Sequence, residues 1–267
     1  MTKDTHTTKS APTLFEKDGN ELVAASRSLE QIGAIETLRE LALKTINGLG
    51  TTWVNHINSF VPVQAVARIH YFNEIYQKIL DVPGVVCEFG TQYGAGLVQL
   101  MNCRNFYEPH NIGRIIYGFD TFDGFVGTDI KDGDLALEGD YSVGSGYFST
   151  LSEILAAHES FQPRPNMKRH HLIKGDASKT IDNWLEENPH AIVSLALFDM
   201  DIYSPTKIVL EKLIPRLTKG SLVVFDELNH PAFPGETRAL DEILKLNNIS
   251  LRKSRWQPYS AYFVWGS

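Results

Sequence analysis

Acidic side chains follow two apolar runs of the chain, and they are the residues best suited to chemistry. The run 192–198 ends in Asp199, and a second run, 222–225, ends in Asp226 and Glu227. Successive apolar residues are typical of strands buried on both faces of a parallel sheet. The carboxyl ends of such strands are where open α/β sheets bind ligands. Because converging carboxylates repel one another, we expect a hard divalent cation to be held by these three acids.

The same acids have a structural interpretation, which stays open at this point. Acidic residues after strands also cap the following helices, and Asp199 would then pair with a lysine or arginine. Three residues are candidates for the catalytic base: Asp199, Asp201 and His230. His230, four residues after Asp226, can be a base or a metal ligand, but it also fits a loop histidine before a proline.

A glycine-containing turn follows the first predicted strand and is a candidate cofactor site. Residues 88–96 read Glu-Phe-Gly-Thr-Gln-Tyr-Gly-Ala-Gly, which is not the glycine spacing that binds the pyrophosphate of a dinucleotide. An acid at the strand end suits a cationic cofactor group, and Gly90 lets a ligand approach the backbone. S-adenosylmethionine (SAM) has an ammonium group for the acid and a carboxylate for the free N–H groups of a helix N-terminus.

The next two strands also end in acids. Asp120 is positioned to accept hydrogen bonds from ribose hydroxyls, and Asp176 from the adenine amine. Either acid can instead be a helix cap. The residues that we assign to the cofactor site are Glu88, Gly90, Thr91, Gly94, Asp120, Thr121, Asp176 and Ala177.

The elements that carry these residues alternate between strand and helix from Gly84 onward. This alternation predicts a doubly wound α/β fold with a mostly parallel, seven-stranded sheet and an antiparallel edge pair near the C-terminus. We expect a disordered tail over residues 1–15, a helical extension over 16–83 and the α/β domain over 84–267. The extension carries helical patterns from Leu29 to Ile46 and from Gln64 to Leu80. It can pack on the core, make a homo-oligomer contact or cover the site.

A long acidic and glycine-rich interval, 122–148, interrupts the alternation. Loops of this length in a domain are functional or disordered, and interspersed aromatic residues favour a loop that covers the substrate. Tyr203 and Trp256 can line the acceptor pocket or belong to the core.

The composition limits the function classes. The chain has 267 residues, 43% of them hydrophobic, and a formal net charge of −7. This balance argues against nucleic acid or an anionic membrane as a partner, and no apolar stretch has the length of a membrane span. Cys87 and Cys103 are predicted to be buried thiols, so we expect a cytoplasmic protein.

Four segments of this sequence are similar to the macrocin and mycinamicin sugar O-methyltransferases. They are 86–90 (Val-Cys-Glu-Phe-Gly), 117–124 (Tyr-Gly-Phe-Asp-Thr-Phe-Asp-Gly), 198–206 (Phe-Asp-Met-Asp-Ile-Tyr-Ser-Pro-Thr) and 223–227 (Val-Val-Phe-Asp-Glu). The resemblance implies a class I, SAM-dependent and Mg²⁺-dependent O-methyltransferase that acts on a sugar hydroxyl. It implies a cofactor role for Glu88, Gly90 and Asp120. It also implies that Asp199, Asp226 and Glu227 bind the metal, with Asp199 as the candidate base.

The chain departs from the family pattern near the substrate pocket. Glu227 stands where the family usually has aspartate, Met200 where glycine is common, and residues 228–238 differ from the usual continuation. The acceptor therefore stays open. A phenol or catechol O-methyltransferase with the same acids is the alternative function, and a non-catalytic SAM-binding protein is a more distant one.

Overall fold

The computed structural model describes residues 15–19, 21–24 and 27–267. The chain forms two compact units, Met1–Pro62 and Val63–Ser267. The predicted disordered tail lies outside the described residues except for Phe15, which begins a strand.

The first unit contains a hairpin and a helix. Strands β1 (Phe15–Asp18) and β2 (Glu21–Ala24) pair antiparallel, a hairpin that the predicted helical extension did not include. Helix α1 (Leu29–Ile46) has the predicted bounds and begins at a capping box, in which Ser28 and Gln31 each accept the other's backbone N–H. No α1 residue whose side chain the structure describes is buried, and Leu29, Ile35, Leu41 and Leu43 are exposed.

The second unit is built on a seven-stranded sheet, as predicted. Its strands in chain order are β3 (Val85–Phe89), β4 (Ile116–Asp120), β5 (His170–Lys174), β6 (Val193–Phe198), β7 (Leu217–Phe225), β8 (Arg252–Lys253) and β9 (Ala261–Val264). Their order across the sheet is β5-β4-β3-β6-β7-β9-β8. The first five strands of that order are parallel, and β9 is antiparallel to both of its neighbours. The antiparallel edge pair is therefore confirmed.

Helices pack on both faces of the sheet. They are α2 (Val63–Gln77), α3 (Ala95–Tyr107), α4 (Tyr147–Glu159), α5 (Ala177–Glu187), α6 (Tyr203–Leu213) and α7 (Gly235–Leu244). One buried cluster joins α2, α3 and α4 to the sheet, and a second joins α5, α6 and α7 to it. The two clusters are the two faces of a doubly wound fold.

Helix α2 belongs to the α/β unit, so the unit begins at Val63 rather than at the expected Gly84. Tyr71, Phe72, Ile75 and Tyr76 on α2 are fully buried in the first cluster. Their burial removes a large apolar area from water, which ties the helix to the sheet.

Two smaller predictions are also settled by the structure. Cys87 and Cys103 are free and buried, as expected. No helix among the described residues has the length and apolar character needed to cross a membrane.

Candidate functional site

A cavity opens at the carboxyl ends of β3, β4, β5, β6 and β7. Most of the predicted site residues line it: Glu88, Gly90, Thr91, Asp120, Thr121, Asp176, Ala177, Asp199, Asp201 and Glu227. The strand register explains why they meet. Phe89 pairs with Phe198, and Phe198 with Phe225, so the acids that follow each strand reach the same edge of the sheet.

The β3–β4 side of the cavity carries two buried acids. Glu88 is 1% exposed, and its Oε2 atom has no hydrogen-bond partner among the described residues. Asp120 accepts backbone N–H groups from Gln92 at 2.7 Å and from Phe122 at 2.6 Å. Burial raises the pKa of both acids, that of Glu88 with a further contribution from Asp199. An unpartnered buried carboxylate oxygen is costly unless a ligand completes it, so this side suits a positively charged group.

Asp176 is a helix cap, as the structural interpretation of this residue expected. Its side chain accepts the Ser178 backbone N–H at 2.9 Å and the Ser178 hydroxyl at 2.7 Å, at the N-terminus of α5. These hydrogen bonds outweigh the effect of burial and lower the pKa of Asp176. The residue also lines the cavity, so capping does not exclude a contact with a ligand.

The two predicted cofactor glycines have packing reasons of their own. A Cβ atom at Gly90 would lie 2.5 Å from the Asp199 carbonyl carbon and closer still to its oxygen. Gly94 is not among the residues that line the cavity, and a Cβ atom there would overlap the Leu151 side chain of α4. Gly90 therefore lets β3 and β6 approach each other, and Gly94, which the sequence analysis assigns to the cofactor, packs against α4.

The β6–β7 side holds the predicted metal acids, together with a cation that the sequence analysis did not identify. Arg68 of α2 donates from Nη2 to Asp199 Oδ2 at 2.9 Å and from Nη1 to Asp226 Oδ2 at 2.6 Å. Asp199 thus has the arginine partner that its structural interpretation required. In this arrangement no group of three His, Cys, Asp or Glu side chains in the described part of the chain is arranged to hold a metal ion.

Arg68 leaves much of the negative charge at this edge uncompensated. Burial and repulsion from Asp226 raise the pKa of Asp199 to about 7. Burial and repulsion from Asp201 raise the pKa of Glu227 to about 11. The buried atoms Asp226 Oδ1 and Glu227 Oε2 have no hydrogen-bond partner among the described residues. Unpartnered oxygens among repelling acids are compatible with an added cation, and carboxylate oxygens are the ligands that a hard divalent metal prefers.

Glu236 links the two acid-bearing loops, and the sequence analysis did not identify it either. This fully buried residue accepts the backbone N–H groups of Met200 at 3.2 Å, Asp201 at 3.3 Å and Glu227 at 3.1 Å. Asp201 itself has a positive φ of 64°, which turns the chain toward α6 immediately after the cavity. Glu236 therefore fixes the spacing between the loops that follow β6 and β7.

His230 does not line the cavity. Its Nδ1 atom accepts the backbone N–H groups of Ala232 and Phe233, both at 3.2 Å, and burial lowers its pKa to about 4. Its Nε2 atom lies 3.7 Å from Glu227 Oε2, beyond hydrogen-bond distance. This geometry favours the loop histidine over the base.

Tyr203 and Trp256 do not line the cavity either. Tyr203 is buried and donates its hydroxyl to Glu242, whereas Trp256 stacks on His70 with a centroid separation of 4.6 Å. The interval 122–148 does reach the cavity, through Phe125, Val126 and Tyr141. Its two sides are joined by the Phe125 N–H, which donates to the Asp140 carbonyl at 2.9 Å.

Comparison with solved structures decides the family. A crystal structure of CalS11, a calicheamicin methyltransferase, is 36% identical, with a TM-score of 0.87 over 97% of this chain and 99% of that one. An apo structure of CalS11, a TDP-rhamnose 3'-O-methyltransferase of calicheamicin biosynthesis, is 35% identical, with a TM-score of 0.80 over 91% and 97% of the two chains. The chain belongs to this family of sugar O-methyltransferases.

A more distant structure agrees on the fold alone. The O-methyltransferase NovP is 17% identical, with a TM-score of 0.60 over 74% of this chain and 79% of that one. No protein-family model matches the chain, and a search of curated proteins found no match. The assignment to the sugar O-methyltransferase family therefore rests on the similarity to CalS11. The cavity at the carboxyl edge of the sheet is consistent with that assignment.

Proposed function

We propose that this protein transfers the methyl group of SAM to a hydroxyl group of a nucleotide-linked sugar and that the reaction depends on a divalent cation. The observation that carries the proposal is the acid-lined cavity, with Glu88 and Asp120 on one side and Asp199 and Glu227 on the other. Each proposed ligand brings a positive charge to one of these sides, the ammonium group of SAM to Glu88 and the cation to Asp199 and Glu227. The methyltransferase likeness of the CalS11 structures supports SAM as the donor.

The cofactor would lie across β3, β4 and β5. The unpartnered Oε2 of Glu88 is suited to the SAM ammonium group, and Asp120 to the ribose hydroxyls. Asp176 and Ala177 line the same side, where the adenine would lie. Replacing Asp120 with alanine should weaken SAM binding by about 1–3 kcal/mol, the range for a lost charge-assisted hydrogen bond. Titration calorimetry measures this affinity directly. Unchanged affinity would mean that Asp120 only accepts the backbone N–H groups of Gln92 and Phe122 and does not bind the cofactor.

The cation would be held by Asp199, Asp226 and Glu227, which supply oxygen ligands of the kind that Mg²⁺ prefers. When bound, it supplies a Lewis acid that lowers the pKa of a hydroxyl group. The unpartnered oxygens of Asp226 and Glu227 support this assignment. Glu236 keeps the two loops at their spacing by accepting their N–H groups.

The chemical step is an in-line displacement at carbon. The acceptor oxygen forms a bond to the methyl carbon, the sulfur–carbon bond breaks with its electron pair going to sulfur, and the hydroxyl proton leaves to a carboxylate. Asp199 is the proposed acceptor of that proton, because it lines the side of the cavity where the acceptor hydroxyl would lie. Correct placement of the two reacting groups supplies much of the rate.

The acceptor class rests on the CalS11 likeness, because that enzyme acts on TDP-rhamnose. We propose a deoxysugar on a nucleoside diphosphate as the acceptor, in a natural-product pathway, and a relationship to the macrocin and mycinamicin enzymes through the shared acidic motifs. A phenol or catechol acceptor is the competing proposal. Its reaction would use the same acids, so only the acceptor distinguishes the two.

The deciding experiment incubates the purified protein with SAM, Mg²⁺ and parallel panels of nucleotide sugars and phenols. We expect S-adenosylhomocysteine to form with a nucleotide sugar, whose mass increases by one methylene. EDTA should stop the reaction, and added Mg²⁺ should restore it. Turnover with phenols alone would show that the acceptor is a phenol rather than a sugar. Full activity in EDTA would refute the proposed dependence on a metal.

Three accessory roles complete the proposal. Residues 122–148 act as a lid over the acceptor, so hydrogen exchange there should slow when SAM and the acceptor are added. The exposed apolar side chains of α1 form a homo-oligomer contact, which light scattering coupled to gel filtration tests. The protein acts in the cytoplasm, which fractionation of the producing cells would examine.

A further inference from the structure

Arg68 occupies the two carboxylates that the proposed metal needs. Its guanidinium reaches across from α2 and binds one oxygen of Asp199 and one of Asp226, at 2.9 and 2.6 Å. These acids follow different strands, β6 and β7, so a single planar fork joins two neighbouring strand ends. Such a fork satisfies two carboxylates with a geometry that a lysine cannot reproduce.

Two aromatic rings hold the Arg68 side chain in place, but they do not bury it completely. Its guanidinium carbon lies 5.3 Å from the centroid of the Tyr71 ring and 5.2 Å from that of Phe72, within the range of cation–π attraction. Its side chain is nevertheless 30% exposed, and it lies in the second turn of α2. Because this side chain is long and partly exposed, rotation about its own bonds can carry it away from the acids while Tyr71 and Phe72 stay buried.

Two other oxygens in this cluster of acids lack a hydrogen bond within the described part of the chain. Asp226 Oδ1 and Glu227 Oε2 are buried without a hydrogen bond to any described residue. If a divalent cation occupied this cluster while Arg68 kept its place, two positive groups would share the same two carboxylates at close range. Like charges at that separation repel strongly in a partly buried site.

We propose that Arg68 and the divalent cation compete for Asp199 and Asp226, so that Arg68 sets the metal affinity of the site and leaves the acids when the metal enters. This inference rests on the proposed metal dependence and deepens it. Arg68 keeps the acids together in the metal-free protein. Its departure on metal binding also moves a positive charge away from the cavity, of which Arg68 is one of the lining residues.

The test compares Mn²⁺ binding to the full-length wild type, Arg68→Ala, Arg68→Lys and a control, Lys78→Ala. Lys78 is matched to Arg68 because it follows the same helix, is 31% exposed and pairs with an acid outside the cluster, Glu74, at 3.9 Å. Titration calorimetry and electron paramagnetic resonance of Mn²⁺ give the affinities. SAM titrations and melting curves establish that each variant is folded.

Both Arg68 variants should bind Mn²⁺ more tightly than the wild type, by about tenfold if Arg68 holds the acids in nine of ten molecules. Arg68→Lys separates competition from simple charge, because it keeps the positive charge and loses the fork. Equal affinity of Arg68→Lys and the wild type would overturn the inference, as would weaker binding by Arg68→Ala. Lys78→Ala should bind Mn²⁺ with the affinity of the wild type. If its affinity rose as much as that of the Arg68 variants, the inference would also be overturned.

The outcomes also separate this inference from the function on which it rests. If the wild type binds Mn²⁺ and needs it for turnover while the Arg68 variants bind no more tightly, only the competition fails. If no variant binds Mn²⁺ and turnover needs none, the metal dependence fails and the competition fails with it. A crystal structure with Mn²⁺ present should show Arg68 away from both acids, and an unmoved guanidinium beside a bound ion would contradict the proposal.

Discussion

Substituting alanine at Gly90 should destabilise the protein through the backbone of Asp199 rather than through the cofactor. Gly90 has a φ of +91°, and a Cβ atom there would lie 2.5 Å from the Asp199 carbonyl carbon. The left-handed backbone costs a non-glycine residue about 1–2 kcal/mol. The overlap adds about 1–3 kcal/mol, the usual cost of forcing an extra methyl group into a packed region. The sum, about 2–5 kcal/mol, is a large share of the roughly 5–15 kcal/mol free energy of unfolding of a typical domain.

A second glycine separates the two contributions. Gly144 has a φ of +86° and nothing within 4 Å of an added Cβ atom. Alanine at Gly144 should therefore cost only the backbone contribution of about 1–2 kcal/mol. The smaller unfolded-state entropy of alanine compared with glycine is common to both variants and cancels in the comparison.

Urea unfolding of the two variants provides the assay, and SAM titration of the folded proteins accompanies it. We expect Gly90→Ala to have the lower free energy of unfolding, by about the 1–3 kcal/mol of the overlap. Equal destabilisation by the two substitutions would refute the packing argument. If Gly90→Ala were as stable as Gly144→Ala but bound SAM much more weakly, the result would support the sequence interpretation, in which Gly90 lets the ligand approach the backbone.

Three further predictions follow from the charges and contacts of the site. Metal affinity should rise with pH through about 7, because Asp199 must lose its proton to become a ligand. Calorimetry in two buffers of different ionisation enthalpy should also detect the release of protons on metal binding. Glu227, whose pKa is raised to about 11, contributes to that release. A pH-independent affinity would contradict these shifts. His230→Ala should lower the melting temperature more than kcat, since it removes the acceptor of two backbone N–H groups, at about 1–3 kcal/mol of stability for buried donors left unpaired; a large loss of kcat at unchanged stability would restore His230 as a base. Asp199→Asn should leave SAM affinity largely intact while stopping turnover, because this residue lies on the acceptor side of the cavity; a variant with near-normal kcat would exclude it as the base.

The fold and the position of the acids could be predicted because both follow from local pattern and from parallel strand geometry. Apolar runs ending in acids identify β6 and β7, and parallel pairing in register then brings Asp199 and Asp226 to one edge. The same reasoning places Asp120 on the cavity. Its hydrogen bonds to backbone N–H groups, however, depend on turn conformations that the sequence pattern does not specify.

Arg68 and Glu236 could not be predicted because their roles depend on how helices dock. The apolar spacing of α2 predicts a helix, and Tyr71, Phe72 and Ile75 bury one face of it. Nothing in that spacing states which polar residue beside the buried face will reach the acids. Glu236 looks like an ordinary acid in the first turn of α7, and its burial against three backbone N–H groups arises only when that helix packs beneath the loops. The sequence contains one signal of this contact, which is an arginine one turn before the aromatic pair Tyr71 and Phe72.

The site's excess of negative charge explains why its proposed ligands are cationic on both sides. Burial first, and then repulsion among carboxylates from three strand ends and from α7, raise the pKa values of five acids: Glu88, Asp199, Asp201, Glu227 and Glu236. A protein gains nothing in stability from burying such a group, because desolvation and mutual repulsion both oppose ionisation. The arrangement becomes favourable once positive charge enters, from the ammonium group of a cofactor beside Glu88 and from a divalent cation beside Glu227. In this structure Arg68 supplies part of that charge through its two hydrogen bonds to Asp199 and Asp226, and the proposed cation would supply the rest.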